Sequence, residues 1–397
     1  MPSIKNSLKK ISLLYAINKY WKATLCNRRY VSLQAYYKKL AARKKIYYRE
    51  ADIPCLVADI FARRNFHPMP VPKGELRILY VGTVAGQDFG GIIQGLRKFG
   101  KVTPFTHKSG KYGQYYGSIG KDKRRENGTR LLEMVQEAQK TDPFHLVIGQ
   151  MWAYSMSPDA LQRVRHLGIP VVNISMDDRH AFYGKRINGC WSGTAGLIGA
   201  IDLVCTAAKE CCLWYLAEGC PAIYLPEASD PELFRPLSEP KQYDVCFVGA
   251  NYGIRSKIVK AIEKKGVHVT RYGNGWPNGR IDIEKIPGLF ARSRIILGVG
   301  TIGYCSDFYA LKLRDFDGPM SGSLYLTHDN PDLYELFDVG REIVTYRTPD
   351  ECVDKVLYYL HHLDEALAIG EAGRKKAVRE HTWEKRFEKM LKVIGLR

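Results

Sequence analysis

One pattern occurs twice along this chain and limits the folds open to it: a short buried-strand run, a glycine that ends it, a loop and an amphipathic helix. Glu75-Leu76-Arg77-Ile78-Leu79-Tyr80-Val81-Gly82 opens the first copy, and Gly90 to Phe99 behind it is helix-like. Tyr243-Asp244-Val245-Cys246-Phe247-Val248-Gly249 opens the second, followed by Ile254, Ile258, Val259 and Ile262 on one helical face. Further strands are expected at Val102–Thr106, His145–Ile148, Pro170–Ile174, Asp202–Thr206 and Ala222–Leu225 in the first copy. The second copy adds Val267–Thr270, Arg294–Leu297, Ser323–Thr327 and Glu342–Thr345. Near-continuous apolar runs suit strands covered on both faces, and helices between them suit parallel crossovers. The chain is therefore expected to hold two α/β domains, each a doubly wound parallel sheet. Facing each other, two such domains imply a cleft at the carboxyl ends of both sheets, where ligands of these folds bind.

The segment before the first strand is different. Residues 1–66 read as helical and hold 15 Lys and Arg against three acids, so they carry +12 of the net +19. Tyrosines 36, 37, 47 and 48 are interleaved with Lys38, Lys39, Arg43, Lys44 and Lys45. His67-Pro68-Met69-Pro70-Val71-Pro72 cannot continue a helix and ends the segment. The resulting division is a basic helical extension over 1–70, a first domain over 74–238, a second over 240–380, and a C-terminal helix in 381–397. Because the excess charge is concentrated at one end, the isoelectric point alone does not make the body a nucleic-acid protein. Apolar faces beside Lys and Arg clusters in 1–66 fit an anionic membrane surface, while a solvated arm and a nucleic-acid arm remain open.

Several classes are excluded early. No apolar run reaches the length of a membrane span, and the N-terminus lacks a secretory cleavage pattern. The 10 cysteines are scattered without a CxxC pair, which suits reduced, buried thiols. Histidines and cysteines fall into no zinc spacing, so no metal and no cofactor is expected. The expected location is the cytoplasm, with peripheral attachment to the inner face of the membrane as a further option.

No P-loop and no GxSxG elbow occurs. A GxGxxG does, at Gly298, Gly300 and Gly303, but it follows a late strand and no small-residue helix follows it. The more specific stretch runs from Lys312 to Thr327: an acid, then small residues, then a strand. A carboxylate can accept two hydrogen bonds from a ribose cis-diol, and main-chain N–H groups at a helix start can hold phosphate oxygens. This stretch, Tyr334-Glu335-Leu336-Phe337 behind it, and Glu371-Ala372-Gly373-Arg374 with His381-Thr382 resemble the C-terminal half of GT-B glycosyltransferases. The resemblance is to the spore-maturation-type or "family 1-like" subgroup, related to the large retaining family 4. Asp230-Pro231-Glu232-Leu233-Phe234-Arg235-Pro236 resembles an Asp-x-x-x-Phe-x-Pro signature of that family, and Gly90-Gly91 its phosphate-facing glycine pair. Together the matches cover residues 76–395.

The resemblance implies a GT-B fold and glycosyl transfer from a nucleotide-diphosphate sugar to a hydroxyl acceptor, a cell-surface or lipid-linked glycan. It places Asp317 on the ribose, Arg255 on the diphosphate and Arg314 close by, with the Ser321–Gly322 main chain also facing phosphate. Gly249, Asn251, Gly273, Gly303 and Tyr304 are expected to border the donor, and Trp276 to border the nucleotide or to pack. In the first domain Asp88 can orient or deprotonate the acceptor hydroxyl, and Asp178 faces acceptor or sugar. The family 4 pattern has two glutamates eight positions apart. Here Tyr309 and Asp317 stand at those places, which leaves donor identity and stereochemistry open. Competing readings are a DNA-modifying glycosyltransferase using the basic arm and a GT-B sugar-nucleotide epimerase.

Overall fold

The computed structural model describes residues 12–83, 86, 88–114, 121–187, 189–303, 305 and 307–397. They divide into two compact units, one of Gln34–Asp230 with His381–Arg397, the other of Met1–Leu33 with Pro231–Glu380.

The first unit is built on a six-stranded sheet. Its strands are β1 (Leu76–Val81), β2 (Gly100–Pro104), β3 (Leu146–Gly149), β4 (Val171–Ser175), β7 (Leu203–Thr206) and β8 (Ala222–Tyr224). A small antiparallel hairpin, β5 (Arg186–Ile187) with β6 (Cys190–Trp191), lies outside it. The order β2-β1-β3-β4-β7-β8 is parallel throughout, with Ile78 opposite both Val102 and Leu146. Strands β3, β4 and β7 are buried at every position, with Asn173, Ser175 and Thr206 the polar members of otherwise apolar runs.

The basic N-terminal segment is not an appendage to this unit. Tyr37 is fully buried and stacks on Trp214 at 5.4 Å, and the Lys44 ammonium donates to the Ala217 carbonyl at 2.6 Å. The Ile53–Ala62 helix buries Ile53, Val57 and Phe61. Glu50 accepts the Tyr224 N–H at 3.2 Å and pairs with Lys389 at 2.5 Å. Of the tyrosines among the lysines, Tyr37 supplies core, together with Leu40 and Ala41 on the same side of the helix, while Tyr36 and Tyr47 stay exposed.

The C-terminal helix, Trp383–Val393, also belongs here rather than standing alone. Thr382 caps it by accepting the Lys385 N–H, and Ser229 exchanges main-chain hydrogen bonds with His381 and Trp383. Its Trp383 and Phe387 lie against Gly91 and Gly95: a Cβ at Gly91 would stand 2.6 Å from the Trp383 indole nitrogen.

The second unit carries a five-stranded parallel sheet of β9 (Tyr243–Val248), β10 (Val269–Tyr272), β11 (Ser293–Leu297), β12 (Leu324–His328) and β13 (Val344–Tyr346), ordered β10-β9-β11-β12-β13. Thr348 caps the Pro349–His361 helix by accepting the Glu351 N–H at 3.1 Å. The glycines of the 370–374 stretch let the Leu363–Glu380 helix approach the backbone closely, since a Cβ at Gly370 would lie 2.5 Å from the Gly322 carbonyl. Arg374 donates to the Phe234 and Met320 carbonyls, which ties the Asp230–Pro236 motif to this unit. Residues 12–33 count here as well, with Cys26 and Tyr30 packed on Ile302, Cys305, Phe308 and Ala310.

Candidate functional site

In a doubly wound sheet the carboxyl ends of the strands share one edge, and the crevice opens where the strand order reverses. In the second unit that point lies between β9 and β11. Here β9 runs into Gly249, whose N–H donates to the Tyr272 carbonyl at 2.8 Å and whose carbonyl accepts the Trp276 indole N–H at 2.8 Å. Trp276 is thus a buried brace for the loop. Asn251 is bound to the neighbouring loop through Asn274 and Gly275. Gly273 is pressed so close to Gly249 that a Cβ would overlap its carbonyl oxygen.

Two guanidinium groups converge on this turn. Arg255 opens the Arg255–Glu263 helix and is only 3% exposed. It donates to the Ala250 carbonyl (2.8 Å), the Tyr252 hydroxyl (2.9 Å) and the Val299 carbonyl (3.4 Å), and lies 3.9 Å over the Tyr252 ring. Arg314, from the start of the Arg314–Met320 helix, donates to the Val248 carbonyl at 2.5 Å and to the same Val299 carbonyl at 3.5 Å. A Cβ at Gly249 would meet Arg314 Nη1 at 2.7 Å and Arg255 Nη1 at 3.3 Å, so glycine is what leaves room for the pair. All of these acceptors are uncharged, and both Nε atoms are buried without a hydrogen-bond partner among the described residues. Burial, followed by the adjacent Arg314 charge, pulls the Arg255 pKa down to about 10. Two cations are held side by side in a low-dielectric crevice, a constellation that favours an anion.

Asp317 is half-buried on the Arg314–Met320 helix, while Asp315 is buried and accepts the Tyr325 hydroxyl (2.5 Å) and the Lys312 N–H (2.7 Å). The Ser321–Gly322 main chain is not the phosphate cradle expected from sequence. These residues close the C-terminal turn of that helix, with the Ser321 N–H on the Asp317 and Gly318 carbonyls and the Gly322 N–H on Pro319. A helix C-terminus presents carbonyls, which repel an anion. The GxGxxG is no dinucleotide turn either. It leads into a hairpin, Thr301 pairing with Tyr309, and the next helix begins only at Arg314. Gly303 is in that hairpin with φ +59°, and Tyr304 lies outside the described residues.

Sequence reasoning missed the polar floor beside the arginines. His328, at the end of β12, stacks on Tyr346 at 5.1 Å and meets the edge of Tyr309 at 5.3 Å. Burial pushes its pKa down, which favours the neutral imidazole. Its Nδ1 and the Asn330 amide nitrogen are buried and without hydrogen-bond partners. The available signal was position: the strand Ser323–Thr327 was legible, and the residues just past a parallel strand face the ligand edge.

In the first unit the two expected catalytic carboxylates are both buried. Asp88 follows β1 and Gln150 follows β3, at that sheet's own reversal point. Asp88 accepts the Thr83 N–H (2.9 Å), the Gln150 amide (2.8 Å) and the Thr83 and Tyr112 hydroxyls (3.3 Å each). Its pKa is raised by burial against these bonds, and it anchors the Gly82–Thr83 turn. Asp178 is 1% exposed, so its carboxylate is turned into the core rather than toward solvent. Its two oxygens accept four hydroxyls: Ser175 (2.6 Å), Thr194 (2.8 Å), Tyr215 (2.7 Å) and Thr206 (2.6 Å). Crowded by these donors, the carboxylate is a structural hub. Gly90 sits in the turn over Asp88–Ile92, and the Cβ direction of Gly91 is filled by Trp383 rather than phosphate. Among the described residues no group of three or more His, Cys, Asp and Glu could hold a metal ion.

Comparison with known proteins agrees with this architecture. Residues 255–392, which begin at Arg255 and include Arg314 and Asp317, match the family described as glycosyl transferase-like. Sucrose-phosphate synthase from Thermosynechococcus elongatus superposes with a TM-score of 0.55 at 12% identity, over 80% of this chain and 98% of that one. The fold is that of the GT-B glycosyltransferases. Anabaena HepE in complex with UDP-glucose gives a TM-score of 0.55 at 10% identity, over 81% of this chain and 99% of that one. A glycosyltransferase from Rickettsia africae gives 0.56 at 14% identity, over 81% and 98%. No curated protein is significantly similar in sequence. The GT-B fold accounts for the twice-repeated strand–glycine–helix pattern and for a C-terminal helix that packs with the first unit.

Proposed function

We propose that this GT-B chain transfers a glycosyl group from a nucleotide-diphosphate sugar to a hydroxyl acceptor, with the second unit holding the donor. The observation that carries the reading is the Arg255–Arg314 pair: two guanidinium groups crowded onto Gly249 whose hydrogen-bond acceptors among the described residues are neutral. A diphosphate is the anion whose charge and spread of oxygens suit two such forks. Asp317 is assigned to the ribose hydroxyls. The bond from the anomeric carbon to the diphosphate breaks, and charge growing on the leaving oxygen is stabilised by guanidinium groups that need no reorganisation.

The acceptor oxygen forms the new bond on the face from which the diphosphate departs, which retains configuration, and its proton passes to the leaving phosphate. Asp178 is crowded by hydroxyls and Asp88 anchors a turn, so neither is assigned the proton transfer. The acceptor is a glycan or a lipid-linked hydroxyl. Titration calorimetry with UDP and GDP tests the donor site: Asp317→Ala is expected to weaken binding of the preferred nucleotide. Unchanged affinity would remove the ribose assignment. A hydrolysis screen over nucleotide sugars identifies the donor, and failure of every one would sink the transferase reading.

A further inference from the structure

The donor reading leaves one face of the Ser12–Lys44 helix without a role. Along it Trp21 is 58% exposed, Leu25 57% and Tyr36 51%. At 100° per residue these three share a stripe about 80° wide with Arg28, Lys39 and Arg43, extending ~33 Å. A different side of the same helix is the one that buries Tyr37, Leu40 and Ala41. No acidic residue precedes Glu50, while 13 Lys and Arg do. A helix whose buried side is already satisfied has no reason in water to present tryptophan and leucine outward.

We infer that this face docks on an anionic lipid bilayer, the helix lying in the plane of the interface. The chemistry of the stripe is that of the lipid–water boundary. Trp and Tyr rings settle at headgroup depth, and Leu25 reaches the acyl region. Lys and Arg keep their charges among lipid phosphates while their stems lie along apolar surface. A nucleic acid would pair with the cations but leave Leu25 without a partner. No described helix is long and apolar enough to cross the membrane, so contact is with the surface. Held there, the chain meets acceptors anchored in the same bilayer.

Vesicle co-sedimentation of the full chain tests this, with phosphatidylcholine alone and mixed with phosphatidylglycerol. The wild type is expected to sediment with the mixed vesicles only, and less so as salt rises. Arg28→Glu with Lys39→Glu and Arg43→Glu is expected to lower partitioning by about 100-fold or more, from the loss of three surface charges. Trp21→Ser with Leu25→Ser should lower it by roughly 10-fold or more, the apolar part of the contact. Both variants change exposed side chains and should keep the wild-type thermal transition and UDP affinity, which separates this inference from the donor reading. A milder set, Arg28→Gln with Lys39→Gln and Arg43→Gln, covers the case in which charge reversal disturbs folding. Absence of sedimentation with anionic vesicles, equal binding to neutral ones, or retention in both variant sets overturns the inference. So does binding of duplex DNA in place of vesicles.

Discussion

Arg255 and Arg314 show how a single glycine sets up a site. Any Cβ at position 249 would crowd both guanidinium groups, and their mutual repulsion is offset by the surrounding carbonyls and the Phe247 and Tyr252 rings. Arg255→Ala is expected to weaken UDP or GDP binding by about 10- to 100-fold, the worth of a charge-assisted contact. Arg255→Lys should recover little of it, because an ammonium lacks the planar fork. Calorimetric titration reads both. Asp178 supplies the opposite case, a conspicuous acid with a structural role. Asp178→Asn replaces an acceptor of four hydroxyls by a group with its own N–H donors, and should cost about 2 kcal/mol of stability or more. Burial raises the Asp178 pKa, so the folded chain binds this proton more tightly than the unfolded chain. The wild type should therefore gain stability relative to Asp178→Asn as pH falls from the folded pKa toward the unfolded one. Denaturant melts of both proteins at several pH values measure the difference.

Between elements, glycines decide which helices can meet. Gly91 and Gly95 lie one turn apart and receive Trp383 and Phe387 of the C-terminal helix, rings that themselves stack at 5.6 Å. Gly91→Ala should lower the melting temperature, at a cost of roughly 1–3 kcal/mol for overpacking, and leave nucleotide affinity untouched. A loss of affinity with unchanged stability would restore the phosphate-facing role expected from the glycine pair. Trp383→Ala removes the same contact from the other side and should cost about 3–5 kcal/mol. In the second unit the Trp276 N–H holds the Gly249 carbonyl, so Trp276→Phe is a direct probe of how rigid the arginine-bearing loop must be. Its loss of that bond should weaken UDP binding in the same titration.

For the molecule as a whole, a nucleotide that binds the folded chain should stabilise it by mass action, by about 2.7 kcal/mol at a concentration 100 times the dissociation constant, and so raise its melting temperature. Differential scanning calorimetry with UDP should show that shift in the wild type and its loss in Arg255→Ala. The two parallel sheets, most of their strands and the candidates Arg255, Arg314 and Asp317 could be named from the sequence, whereas the order of strands within each sheet could not. Apolar runs, helical periodicity and motif spacing are local signals, and the parallel topology follows from them. The excess of Lys and Arg before residue 66 was legible too, but not that Tyr37, Ile53, Val57 and Phe61 would be core, since a separate arm and an integral one have the same composition. Asp88, Asp178, Gly91 and the Ser321–Gly322 turn looked functional in one dimension. What they do depends on partners distant in sequence: Gln150, Tyr215, Trp383, and the direction in which a helix ends. Burial and hydrogen-bond partners are properties of the packed chain, and only the tertiary structure could decide which acids were anchors and which cations were held on neutral acceptors.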